Sequence, residues 1–167
     1  VRITYSDEYN IPKGVTGTDM VLDTRNREHN YYYNLSIDGT TNGGSNAGYC
    51  VYGNDIADDN RLYNCTLQAS NLGVRNLRIV EGCAFINLGY GAYSIESVNN
   101  SVFFGLGLYG IFATQKAHGN LLIGASSVPI WGAASQGHFV NNTIIGANIA
   151  TNVQNNAGKS TFWNTAI

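Results

Sequence analysis

One phrase returns along this chain at an interval of roughly 19 residues, and that period limits the fold more than any other feature. "NCTLQAS" (64–70), "GCAFINL" (82–88), "NSVFFGL" (100–106), "GNLLIGA" (119–125) and "NNTIIGA" (141–147) align without gaps, with starts 18, 18, 19 and 22 residues apart. "KSTFWNTAI" (159–167) looks like a sixth copy. A second phrase keeps step inside each unit: "GVRNL" (73–77), "GAYSI" (91–95), "GIFAT" (110–114), "PIWGA" (129–133) and "NIATN" (148–152). Self-similarity at a fixed period marks a repeat architecture, in which each unit buries its apolar side only against its neighbours.

The units do not read as helices. They are rich in Asn, Gly, β-branched and aromatic residues, and they lack a sustained 3.6-residue period. Apolar runs of a few residues, broken by Gly and Asn, read as short strands and tight turns. The period is too short for strand–helix–strand crossovers. It suits one coil of a parallel β-helix with two or three strands per turn. The repeat then predicts columns stacked at about 4.8 Å. Leu67, Phe85, Phe103, Leu122 and Ile144 form one inward column, and Val74, Ala92, Ile111, Ile130 and Ile149 another. Cys65, Cys83, Ser101, Asn120 and Asn142 form a column of small or polar residues. Asn64, Asn100 and Asn141 are expected as a ladder of stacked corner amides, since Asn tolerates left-handed backbone.

Residues 31–167 are assigned to the parallel β-helix domain, with "YYYNLSIDG" (31–39) and "YCVYGN" (49–54) as strands around a Gly-rich loop. Residues 1–30 hold much of the charge and read as an irregular capping or linking segment. The chain opens on Val1 and its single Met is Met20, so it is expected to be part of a larger chain.

Composition narrows the function classes. Only 12% of residues are charged, about half the usual share. Asn occurs 22 times, Gly 20 times and Tyr 11 times, so polarity comes from amides and hydroxyls. A net charge of −2 without a basic run gives no case for nucleic acid, and no apolar stretch is long enough for a membrane helix. Cys50, Cys65 and Cys83 are odd in number and without a CxxC pair, and the three His are scattered. Buried free thiols are expected, with a Cys65–Cys83 disulfide sterically allowed, and no metal or cofactor is predicted. Calcium at 55–59 would have oxygen ligands but lacks the EF-hand spacing. Glycosylation sequons at Asn34, Asn64, Asn99 and Asn141 are expected by chance in so Asn-rich a chain.

The Asn-Cys-Thr-Leu turn, followed by a Gly-aromatic strand and Asn-Asn, resembles the right-handed parallel β-helix (pectin-lyase-like) superfamily over about residues 31–167. About six coils of 18–22 residues are expected. The Tyr, Asn and Gly richness is more similar to bacteriophage tailspikes than to plant-wall pectinases, and the Asn-Thr-Asp and Arg-Ile-Lys signatures of polygalacturonases are missing. The resemblance implies a protein of the virion tail or another extracellular setting, forming a homotrimer. It implies binding and depolymerisation of a bacterial cell-surface polysaccharide, by glycoside hydrolysis ahead of lyase chemistry. The alternative is a non-catalytic structural shaft or binding module of a trimeric appendage.

Two outward stripes and a few carboxylates are candidates for function. Strand alternation turns Arg75, Tyr93, Phe112, Trp131 and Ala150 outward if Ile111 points in. Such a wall suits stacking on sugar faces, a subunit interface, or cover by the N-terminal segment. Ile86, Phe104, Ile123 and Ile145 form a second stripe, explained by side-by-side packing in a closed trimer or by a corner that buries them. Glycoside hydrolysis needs two carboxyl groups. The candidates are Asp55, Asp58 and Asp59 in one loop, Glu81 at a corner and Glu96 beyond the aromatic column. Asp58 and Asp59 are close enough in sequence to share a proton. A lyase would instead recruit Arg75, Arg78 and Lys116 to neutralise a uronate.

Overall fold

The computed structural model describes residues 2–4, 20–25, 28–39, 47–124, 128–132, 137–146, 151–153 and 161–163. The chain is an all-β parallel solenoid, and its described strands fall into three parallel sheets of seven. The first sheet contains Arg2–Thr4, Ser36–Asp38, Thr66–Gln68, Ala84–Ile86, Val102–Phe104, Leu121–Ile123 and Thr143–Ile145. The second contains Met20–Asp23, Ala47–Tyr52, Ser70–Arg75, Tyr90–Tyr93, Tyr109–Thr114, Val128–Gly132 and Thr151–Val153. The third contains Tyr31–Tyr33, Arg61–Tyr63, Ile79–Glu81, Ser97–Asn99, Lys116–His118, His138–Val140 and Thr161–Trp163. Arg2–Thr4 and Met20–Asp23 are rungs of the first two sheets, so coil structure begins inside the segment expected to be a cap.

The core is built from the columns that the repeat predicts. Leu67, Phe85, Phe103, Leu122 and Ile144 are in register and buried. The Phe85 and Phe103 rings stack with centroids 4.4 Å apart and planes 6° apart. Removing each such side chain from water contributes about 1.5–3 kcal/mol. In the second sheet Val74, Ala92, Ile111 and Ile130 stack as expected, but the next rung is Thr151 and not Ile149, which lies outside the described residues. Leu62, Val80, Val98, Ala117 and Phe139 supply the third inward column.

Left-handed residues turn the corners. Between the third and first sheets the corner residue is Asn34, Asn64, Gly82, Asn100, Gly119 and Asn141 in successive coils, all with positive φ. From Asn64 onward Asn and Gly alternate, so the amides of Asn64, Asn100 and Asn141, expected as a stacked ladder, are separated by Gly82 and Gly119. A Cβ on Gly119 would lie 2.6 Å from Asn100 Oδ1, so the glycine makes room for the amide one coil below.

Just past that corner a buried backbone N–H cannot reach the next coil's carbonyl, and an unpaired buried donor is costly. The polar column solves this. Cys65 N–H donates to Cys83 Sγ (3.4 Å), Cys83 N–H to Ser101 Oγ (3.1 Å), Ser101 N–H to Asn120 Oδ1 (3.0 Å) and Asn120 N–H to Asn142 Oδ1 (3.1 Å). Leu35 N–H starts the series by donating to Cys65 Sγ at 3.4 Å. All three cysteines are buried free thiols. Burial pushes the Cys50 thiol up to about 11, so it stays protonated at neutral pH.

Candidate functional site

The outer face of the second sheet carries a contiguous field of rings. Register places Arg75, Tyr93, Phe112 and Trp131 in one column, as alternation predicts, with Asn152 and not Ala150 on the next rung. Tyr93 and Phe112 stack in parallel with centroids 4.9 Å apart, and Phe112 meets Trp131 edge-on at 5.1 Å. A second column runs beside the first. Tyr109 touches Phe112 at 5.0 Å, Trp131 at 5.0 Å and Tyr90 at 5.3 Å. Strict alternation hides Tyr90 and Tyr109. Each strand here buries two consecutive residues, Gly91 and Ala92 or Gly110 and Ile111, and brings the flanking aromatics to one side. Gly91 is needed inside, since a Cβ there would lie 2.7 Å from the Phe103 ring. The recurrent tetrapeptides "YCVY", "YGAY" and "YGIF" carry that signal in the sequence.

Arg75 interrupts the field with a cation. Its guanidinium lies between two rings, 5.5 Å from the Tyr52 centroid and 5.0 Å from that of Tyr93. Nη1 donates to Tyr49 Oη at 3.3 Å, and Nε is buried without a hydrogen-bond partner.

The third sheet and the turn before it hold the charged candidates. Asp55 caps the short 3₁₀ turn Ile56–Asp58, accepting from Ala57 N–H at 2.9 Å. Asp58 belongs to that turn, and its carbonyl accepts from His29 N–H at 2.8 Å. Asp59 is buried, in left-handed conformation, and is the centre of the cluster. Arg61 donates to both its oxygens, at 2.6 and 2.9 Å; Tyr31 Oη lies 3.3 Å away and His29 Nδ1 3.4 Å away. The Arg61 bonds hold the Asp59 carboxyl well below the usual carboxylate range, against the opposing effect of burial. Asp59 is therefore an ionised partner of Arg61, in place of the proton-sharing partner of Asp58 that adjacency suggested.

Arg78 links this cluster to the next coil. Its Nη1 lies 3.4 Å from Asp59, its Nε donates to Glu96 at 3.1 Å, and Lys116 Nζ lies 3.7 Å from the other Glu96 oxygen. Asp59 and Glu96 thus meet around one guanidinium. Glu81 stands apart, in register between Tyr63 and Asn99 on the outer side of the third sheet. Among the described residues no group of three or more His, Cys, Asp and Glu is placed to hold a metal ion.

No family model, curated protein or solved structure matches this chain. The site stands on its own geometry.

The outer face of the first sheet differs again. Its column passes from Asp38 and Gln68, joined by a 3.0 Å hydrogen bond, to Ile86, Phe104, Ile123 and Ile145. Phe104 is 51% exposed and Ile145 53%, which rules out a corner that buries the stripe. Two aromatic features escaped sequence reasoning on the third sheet as well. The Tyr33 and Tyr63 rings stack at 4.9 Å, and Arg61 sits over Tyr31. The charge pairs, however, carried a signal. Asp59 and Arg78, Arg78 and Glu96, and Glu96 and Lys116 are 19, 18 and 20 residues apart, one repeat each.

Proposed function

We propose that this solenoid binds a bacterial cell-surface polysaccharide along the outer aromatic face of its second sheet, in the manner of a tailspike or adhesin. One observation carries the reading: Tyr90, Tyr93, Tyr109, Phe112 and Trp131 form an unbroken array with contacting ring centroids 4.9–5.3 Å apart. Flat rings stack on the apolar faces of pyranoses, and an array that recurs once per coil matches a repeating ligand better than a single small molecule.

Cleavage of the bound polymer is the more demanding half of this reading. A hydrolase needs one carboxyl that carries a proton and one that does not. Asp59 is committed to Arg61 and suits only the ionised role, and Glu96 is engaged by Arg78 and Lys116. Binding is therefore the primary activity. A second reading, the shaft of a homotrimeric appendage, draws on the exposed apolar stripe of the first sheet at Phe104 and Ile145.

A panel of bacterial capsular and O-antigen polysaccharides tests both. Binding is followed by affinity electrophoresis, and products by assays for reducing ends and for ultraviolet-absorbing unsaturated ends. Retardation by at least one polymer is expected, and the absence of binding to any polymer would sink the proposal. Light scattering reads the trimer, and a strict monomer at high protein concentration removes the shaft reading.

A further inference from the structure

We infer that the polysaccharide taken by the aromatic face is acidic, and that its carboxylate docks on Arg75. This rests on the polysaccharide-binding reading and narrows it to a ligand class. The sequence offers Arg75, Arg78 and Lys116 to an anionic sugar, and the folded chain separates them. Arg78 and Lys116 are both held by Glu96, and Arg78 also lies against Asp59. Arg25 pairs with Asp23 at 2.8 Å, and Arg61 pairs with Asp59 at 2.6 Å. Arg75 has no carboxylate partner among the described residues.

Its surroundings hold the charge without neutralising it. The rings of Tyr52 and Tyr93 fix the guanidinium plane from two sides. Ring faces attract a cation but carry no countercharge. Among the described residues the single hydrogen bond runs from Nη1 to Tyr49, a neutral acceptor, and Nε is buried with no partner. The cation is also in line with the binding rings, because Tyr93 stacks both on Phe112 and against Arg75. A neutral glycan laid over this face would replace water at Arg75 with neutral hydroxyl acceptors and supply no countercharge. A uronate-type carboxylate one residue along the polymer returns a charge-assisted hydrogen bond, and the guanidinium fork matches its geometry.

The test compares acidic polymers (alginate, polygalacturonate and hyaluronan) with neutral ones (dextran and galactomannan) by affinity electrophoresis and calorimetry. The expected result is at least about tenfold tighter binding to one acidic polymer than to either neutral one. Arg75→Gln should erase that preference, bringing the affinity for the acidic polymer down to that for the neutral ones. Trp131→Ala should weaken both kinds of binding. A measurement on the unaltered protein guards against a variant that fails to fold: raising salt from roughly 0.05 M to 1 M should collapse the acidic preference. Equal affinity for neutral and acidic polymers would overturn the role of Arg75 and leave the binding face intact. Loss of all binding in a folded Arg75→Gln variant would make Arg75 a structural prop and also overturn it. No binding to any polymer, acidic or neutral, would defeat this inference together with the reading beneath it.

Discussion

The outer faces of the second and third sheets are made by the same coils and treat charge in opposite ways. On the second, rings pack on rings; Arg25 lies over Tyr52 and pairs with Asp23, while Arg75, among the described residues, stands against the rings with no carboxylate partner. On the third, every described cation that meets a carboxylate does so within one connected chain, from Arg61 through Asp59, Arg78 and Glu96 to Lys116. The third face pairs its described Arg and Lys side chains internally and leaves Glu81 outside that chain. The second presents ring area and a guanidinium, Arg75, that has no carboxylate partner among the described residues. Ionisable residues that recur at one-coil intervals are stacked in space and neutralise one another, as Asp59, Arg78, Glu96 and Lys116 do.

Phe112 holds the ring field of the second face together, touching Tyr93, Tyr109 and Trp131. Phe112→Ala splits the array and should weaken polysaccharide binding by at least about tenfold in a calorimetric titration, near 1.4 kcal/mol. An unchanged affinity would move binding off this face. Asp59→Asn should do the reverse. It leaves Arg61 and Arg78 short of a countercharge, so thermal unfolding should fall by several degrees while polysaccharide affinity stays level.

Acid sharpens the same contrast. Asp59 has its carboxyl held below an ordinary value of 3.8. A depressed carboxyl contributes stability that is full above the ordinary value and is lost as pH falls through the folded one. Melting curves between about pH 5 and about pH 2 should show a steeper loss in the unaltered protein than in Asp59→Asn. Parallel curves would mean that the Arg61 bonds do not stabilise the fold. The smallest effect is expected from Glu96→Gln, whose carboxylate is partly exposed and shared by two cations. Its melting temperature should shift by no more than about 2–4 °C, with binding unchanged.

Much of the fold was readable because its information is periodic. A position repeated every 18 or 19 residues is a position stacked in space, and the inward columns through Phe103 and Ile111 follow from that alone. The reading slipped at Ile149 and Ala150. The stretch from Ile130 to the next rung at Thr151 is longer than the three coils that run from Val74 to Ile130, so fixed spacing no longer marks register. Phe112 was placed by alternation, whereas Tyr90 and Tyr109 needed knowledge that two inward residues can follow each other where one is Gly. The carboxylates were least readable. A local view sees Asp58 beside Asp59, but the partner that decides the behaviour of Asp59 is Arg61, with Arg78 arriving from the next coil.

The corner between the third and first sheets has a consequence for handling the protein. It demands a left-handed residue, then one turned toward the interior, then the first residue of a strand of the first sheet. Asn suits the first place and Thr or Ser the third, so Asn34, Asn64 and Asn141 fall into glycosylation sequons for reasons of backbone geometry. Asn34, Asn64 and Asn141 are exposed along that one edge. Produced in a eukaryotic secretory host, the protein would gain N-linked glycans in a row down a single seam. They would crowd the first and third faces and leave the rings of the second uncovered, so material from a bacterial and a secretory host would differ in self-association before it differed in sugar binding.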